Sequence, residues 1–308
     1  MFDWRQFFPL QTDTKARGRR GCRKRVSIDV RVTSGRKCRP MITFPRLLNF
    51  RGWPAFTAVT AGIVAACTGS MQCQAGPDIR VYELRVYTIN PGKADALHNR
   101  FRTATLPLFK KHGIESIGYW MPLDPADQRL HFLLSYPSRA AREASWKAFM
   151  ADPEWQAAYK SSEAAGPILA KTPENYFVQL TDYSSPLKVS APGGRIFELR
   201  TYTTPPGRLA NLDARFRDHT VALFAKHGMV NYGYWHRMSD QPAADITLQY
   251  MLSYASKEAA AASFKSFGAD PAWKEAREAS EKNAGGSLTA PGGVKSVFLA
   301  PTDYSPTK

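Results

Sequence analysis

Two matching stretches, 82–88 (YELRVYT) and 197–203 (FELRTYT), set a carboxylate, a guanidinium and a phenol at every second position. Successive side chains on a strand point to opposite faces, so Glu83, Arg85 and Tyr87 share one side of the chain. Glu198, Arg200 and Tyr202 do the same in the second stretch. An arginine in such a trio can fix an anionic or carbonyl group, while the phenol and the carboxylate can move a proton. The same residues also make a structural ion pair, because a charge removed from water has to be paired or hydrogen-bonded. Recurrence in two copies fits both readings.

Other chemistry-bearing residues are fewer. Tyr119-Trp120 and Tyr234-Trp235 are adjacent pairs on short apolar segments, so one member of each pair faces an interior and Trp120 and Trp235 are candidate pocket walls. Of six histidines, only His112 and His227 correspond between the stretches; each precedes a glycine at a helix end, where an imidazolium suits the helix dipole and where a rim acid or base could stand. His98, His131, His219 and His236 have no counterpart histidine, and no metal-ligand spacing is present, so no metal is expected. No glycine-rich nucleotide loop and no nucleophile elbow occur, and no cofactor is implied. Arg100, Arg102, Lys110 and Lys111 read as a solvated helix face.

These residues are positioned by an internal repeat. Arg100-Phe101-Arg102, Lys111-His112-Gly113 and Gly118-Tyr119-Trp120 return 115 residues later, Leu134-Ser135-Tyr136 and Asp152-Pro153 return after 118, and Thr181-Asp182-Tyr183-Ser184 after 121. Each copy reads as strand, helix, strand, strand, helix, strand, the ferredoxin-like order, with a sheet bearing helices on one face only. The boundaries are a basic extension plus signal segment over 1–75, a first module over 79–184, a Ser/Pro/Gly-rich linker over 185–194 and a second module over 195–305. The Tyr/Phe-Glu-Leu-Arg-x-Tyr strand, the Phe-Arg…Leu-Phe-x-Lys-His-Gly helix and the Gly-Tyr-Trp strand resemble the NIPSNAP family of the dimeric α/β-barrel group. The resemblance implies an α+β fold in which two βαββαβ modules form a barrel within one chain, their sheets face to face. It implies little about activity. On the first strand, Tyr82, Leu84 and Val86 are expected to meet the helix layer, and Glu83, Arg85 and Tyr87 the interior between the sheets.

Composition limits the partners. The formal charge of +16 resides mainly in residues 1–51, with 14 Lys/Arg against 3 Asp/Glu; residues 76–308 hold 28 against 23, so no nucleic-acid partner is expected. Residues 52–77 carry no charge and have the layout of a secretory signal, with cleavage after Cys73-Gln74-Ala75; Val64-Ala65-Ala66-Cys67 offers a rival lipid-anchoring site at Cys67. The protein is thus expected to be exported, to the periplasm or beyond, and to touch a membrane only through that lipid. All four cysteines precede the modules, which exclude a disulfide or a cysteine nucleophile within them. Two functions remain: a barrel module binding a small organic ligand or a partner, with further self-association open, or a cofactor-independent enzyme acting on a small carbonyl or phenolic compound. In the latter, Arg85 and Arg200 would stabilise an oxyanion and Tyr87 or Tyr202 would move a proton.

Overall fold

The computed structural model describes residues 80–189 and 193–308. The signal, the cleavage site and the Cys67 lipid site lie outside the described residues.

The first module runs β1 (Val81–Thr88), α1 (Ala94–Arg100), one wide turn (Phe101–Thr105), α2 (Leu106–Lys111), β2 (Glu115–Pro122), β3 (Arg129–Tyr136), α3 (Arg139–Ala151), α4 (Pro153–Ser162) and β4 (Glu174–Leu180). The second repeats it as β5 (Ile196–Thr203), α5 (Leu209–Arg215), a wide turn (Phe216–Thr220), α6 (Val221–Lys226), β6 (Val230–Arg237), β7 (Thr247–Tyr254), α7 (Lys257–Ala269), α8 (Pro271–Asn283) and β8 (Val294–Pro301). Local chemistry sets these limits. Gly113 and Gly228 end α2 and α6 with φ of 70° and 80°, a backbone conformation that glycine adopts without strain. Asp152 accepts from Glu154 N at 2.9 Å with Pro153 opening α4, and Asp270 accepts from Ala272 N at 3.0 Å with Pro271 opening α8. At the wide turns, Thr105 donates its hydroxyl proton to Arg100 O (3.2 Å) and Thr220 to Arg215 O (3.1 Å), so a carbonyl at the widened turn keeps a partner.

The sheets do more than stack. Strand order is β1-β3-β2-β8-β5-β7-β6-β4, closed on itself. The module sheets join at two seams, β2 with β8 (Trp120↔Pro301 to Pro122↔Leu299) and β4 with β6 (Val178↔Arg237 to Leu180↔Trp235). Closure removes the unpaired strand edges that each module alone would expose. Tyr82, Leu84, Trp120, Leu133 and Val178 of the first module meet Phe197, Leu199, Trp235, Met251 and Leu299 of the second inside the barrel.

That lumen corrects the expected facing of β1. Tyr82 and Leu84 point into the barrel, whereas Tyr87 lies among Phe101, Phe132 and Trp146 under the helices, and Glu83 and Arg85 face the same layer. The strand is buried on both faces, so its alternation cannot say which face meets which layer. The polar trio sits against the helices because the helices supply its counter-charge. The lumen, walled by strands alone, instead takes a mostly apolar set, with His131 and Gln249 as its buried polar members.

The Gly-x-Trp pattern also has a packing cause. The Trp120 and Trp235 indoles lie back over Gly118 and Gly233, where an added Cβ would stand 2.3 Å and 2.7 Å from the ring. Only a glycine two residues upstream on the same face leaves room for the indole.

Candidate functional site

The first-module trio is a closed network. The Glu83 carboxylate accepts Arg85 Nη1 at 2.5 Å, Arg142 Nη2 at 2.8 Å, Arg142 Nε at 3.1 Å and Tyr136 OH at 3.1 Å. Trp146 Nε1 donates to Tyr136 OH at 2.7 Å, and the Arg85 guanidinium stacks 4.5 Å from the Trp146 ring centre. Burial pushes the Glu83 carboxyl up, but Arg85 and Arg142 outweigh it and hold the group below its ordinary value. Burial pushes the Tyr136 phenol well up, and the Glu83 charge adds to that, so Tyr136 is a donor here and not a base.

The second-module trio is arranged differently. Arg200 donates to Glu198, to Tyr250 OH (2.9 Å) and to Tyr202 OH (3.2 Å), and Tyr254 OH donates to Glu198 (2.9 Å). Ala260 stands where the first module has Arg142, and Phe264 where it has Trp146. The smaller residues leave the Arg200 side chain 14 % exposed, whereas Arg85 is 0 % exposed. In both modules neighbouring side chains hold the two Nη atoms of the arginine.

The eight residues singled out in the sequence therefore do not converge. Glu83, Arg85, Tyr87 and Glu198, Arg200, Tyr202 lie in two separate helix-facing layers, with Trp120 and Trp235 on the far side of the sheet in the lumen. A void of about 10 Å³ lies in the lumen, bordered by Leu84, Leu133, Leu199, Trp235 and Gln249. That is one water's room, too little for an organic ligand. His112 and His227 are rim residues joined to helix caps, each with Nε2 2.7 Å from the Asp152 or Asp270 carboxylate. Hydrogen bonds from Lys111 and His112 hold the Asp152 carboxyl well below the carboxylate range, and Lys226 and His227 do so for Asp270. Both histidines thus tie the end of one helix to the start of another.

One concave site of ligand size does occur, and the sequence reading missed it. A groove of about 470 Å³ runs along α2, the start of β2 and the C-terminal tail, lined by Leu106, Lys110, Gly113, Ile114, Glu115, Ser116, Tyr304 and Pro306. Leu106, Ile114, Tyr304 and Pro306 make its apolar floor. Glu115 is bound by Arg80 and by Ser135 Oγ (2.9 Å), and Ser116 Oγ lies 2.7 Å from Tyr119 OH. Tyr304 is anchored at its hydroxyl by His98 Nδ1 (2.8 Å); burial raises its phenol and lowers the His98 imidazole, so this contact is one between neutral groups. Lys110 is exposed and makes no ion pair or hydrogen bond among the described residues. The expected solvated face thus holds for Lys110, Lys111 and Arg102, but Arg100 is buried and reaches Ser162 Oγ (3.1 Å) and Glu163 Oε1 (3.2 Å). A signal for the groove was present in the repeat: Lys110 and Glu115 align with Ala225 and Val230, so the copies differ where a shared scaffold would agree.

The comparisons with known proteins follow this architecture. The family model NIPSNAP matches residues 82–185 and again 197–306. No curated protein matches the chain. Among solved structures, the chain is similar to a putative monooxygenase from Lactobacillus acidophilus NCFM (10 % identity, 72 % of this chain and 93 % of that one, TM-score 0.47). It is also similar to an uncharacterized NIPSNAP-like domain protein from Burkholderia xenovorans (21 % identity, 36 % and 93 %, TM-score 0.33). A NIPSNAP family protein from Agrobacterium tumefaciens gives 22 % identity over 35 % of this chain and 99 % of that one, with a TM-score of 0.32.

Proposed function

The chain belongs to the NIPSNAP family in a tandem form, and from that premise we propose that it binds a small organic anion in the groove over its first module. One observation carries this reading: the free ammonium of Lys110 stands at the edge of an apolar floor in a cavity of about 470 Å³. A concave, mostly apolar site with one or two fixed polar groups is the usual form of a small-molecule site. Leu106, Ile114, Tyr304 and Pro306 would take the ligand's apolar body, and Lys110 its carboxylate or similar anionic end. Ser116 would remain as a hydroxyl partner, and Glu115, occupied by Arg80, would disfavour a second negative group nearby.

The enzymatic alternative has less support. It asks Arg85 or Arg200 to meet a substrate oxyanion. Arg85 is sealed at 0 % exposure, and Arg200 has Glu198, Tyr250 and Tyr202 around its guanidinium. The binding reading keeps the sequence-based expectation of an exported protein, because the uncharged segment 52–77 motivates it.

A thermal-shift screen of small aromatic and aliphatic carboxylates tests the proposal. The best compound is expected to raise the melting temperature of the wild type, and Lys110→Ala to lower its affinity about tenfold, the size of a lost charge-assisted contact. Arg200→Ala is expected to leave affinity unchanged. Equal affinity in wild type and Lys110→Ala would remove the groove from consideration.

A further inference from the structure

We infer that the groove over the first module takes a monocarboxylate, its acid group seated between the Lys110 ammonium and a Ser116 hydroxyl whose proton Tyr119 leaves free. The inference rests on the binding reading above and names its ligand class. The two copies show why the groove exists. In the second module Asn231 bridges sheet and helix: its Nδ2 donates to Val221 O (3.0 Å) at the start of α6, and its Oδ1 accepts from Tyr234 OH. In the first module Ser116 stands in the place of Asn231, and Leu106 in that of Val221. A serine side chain is too short for the same bridge. The space between β2 and α2 therefore stays open, and Leu106 and Ser116 both line it.

The hydrogen-bond count then fixes what Ser116 offers. Ser116 Oγ lies 2.7 Å from Tyr119 OH, and neither hydroxyl has another partner among the described residues. Tyr119 is fully buried, and burial raises its phenol, so the group keeps its proton. A buried O–H has to find an acceptor, so Tyr119 donates and Ser116 Oγ accepts. The Ser116 proton is left over, on a half-buried side chain at the groove wall. Tyr119 is thus a positioning residue: it does not line the groove, but it makes Ser116 a donor there.

Charge sets the head group. The Lys110 ammonium is unpaired among the described residues, whereas Glu115 is already held by Arg80 and Ser135. One cation and one hydroxyl donor match the two oxygens of a carboxylate. A phosphate monoester would bring a second negative charge beside Glu115 with no second free cation on the groove, and an amine would meet Lys110 as a like charge. The second module does not repeat the site, because Ala225 replaces Lys110 and Asn231 fills the gap.

Isothermal titration calorimetry on the full chain, with hexanoate, 3-phenylpropionate and phenyl phosphate as probes, tests this. At least one of the two acids should bind the wild type at one site per chain, and more tightly than phenyl phosphate. Ser116→Ala should weaken that acid about tenfold, the size of one hydrogen bond to a charged group. Ser116→Asn should abolish binding by restoring the bridge seen in the second module, while the chain still melts cooperatively. Tyr119→Phe should weaken the acid about threefold on its own and no further in the Ser116→Ala background, because its effect passes through Ser116. If both Ser116 variants bind like the wild type while Lys110→Ala binds weakly, the seat at Ser116 is overturned and the groove reading stands. Phenyl phosphate binding more tightly than both acids overturns the monocarboxylate class. Failure of both acids to bind overturns the inference, and the groove reading falls with it if the wider thermal-shift screen is blank as well.

Discussion

In the first module a glutamate is clasped by two arginines, one from its own strand and one from a helix. In the second module the helix position is Ala260, and the lone arginine leans on Tyr250, which occupies the place of Phe132. The fold tolerates both solutions because each ends with every charged atom of the glutamate satisfied. The difference lies in what surrounds the pair. The first solution is sealed and brings a second arginine from a helix; the second does without it and leaves Arg200 14 % exposed. Duplication has kept the scaffold constant while allowing the charge and the surface of the two halves to diverge. Lys110, Glu115 and the groove belong to that divergence, being absent from the second copy as Ala225 and Val230.

The largest effect that sharpens this contrast comes from removing the carboxylates. Glu83→Ala strands two buried guanidinium groups and is expected to cost about 4 kcal/mol in urea unfolding; Glu198→Ala strands one that keeps two phenol partners and some solvent, at about 2 kcal/mol. A larger loss at Glu198 would break the comparison. Next in size is a pH effect confined to the first module. Burial in the lumen lowers the His131 imidazole to about 4, with Arg129 adding to the shift and Asp127 and Glu174 opposing it; Gln249 holds the corresponding place. The unfolded chain then binds the proton more readily than the folded one between pH 6.5 and 4. Stability is therefore full above pH 6.5 and falls by up to about 3 kcal/mol as pH drops to 4. His131→Gln should flatten that part of the stability profile, and an unchanged slope would place the titration elsewhere.

Smaller again are the glycines beneath the indoles. Gly118→Ala and Gly233→Ala should each destabilise by about 1–3 kcal/mol in the same assay, because the ring has to move. The smallest effect is one on which the halves should agree. Asp152 and Asp270 are held below their ordinary range by Lys111 and Lys226 first and by the paired histidines second. A depressed carboxyl stabilises the fold above its unfolded pKa and loses that contribution as pH falls. Lys111→Met and Lys226→Met should therefore raise the acid-unfolding midpoint slightly and equally, as followed by circular dichroism.

Element order, the glycine caps and the aspartate-proline caps were legible in the sequence because each depends on a few adjacent residues with a fixed backbone requirement. The repeat made the pairing of the halves legible as well. The facing of β1 was not. Its two sides are buried in different layers, and the residue that decides between them, Arg142, sits on a helix 57 positions beyond Arg85 with nothing local to announce it. The groove was hidden for a similar reason, since it joins Lys110 to Tyr304 and Pro306 across nearly the whole folded chain. What did announce it was a mismatch between copies, which becomes informative only once the shared positions are known to be scaffold.

The central claim, that the ligand lies over the first module and not inside the barrel, is tested most directly by a co-crystal structure with the strongest carboxylate from the thermal-shift screen. Density bridging Lys110 and Tyr304 is the predicted result. Density between Trp120 and Trp235, or against Arg200, would contradict it.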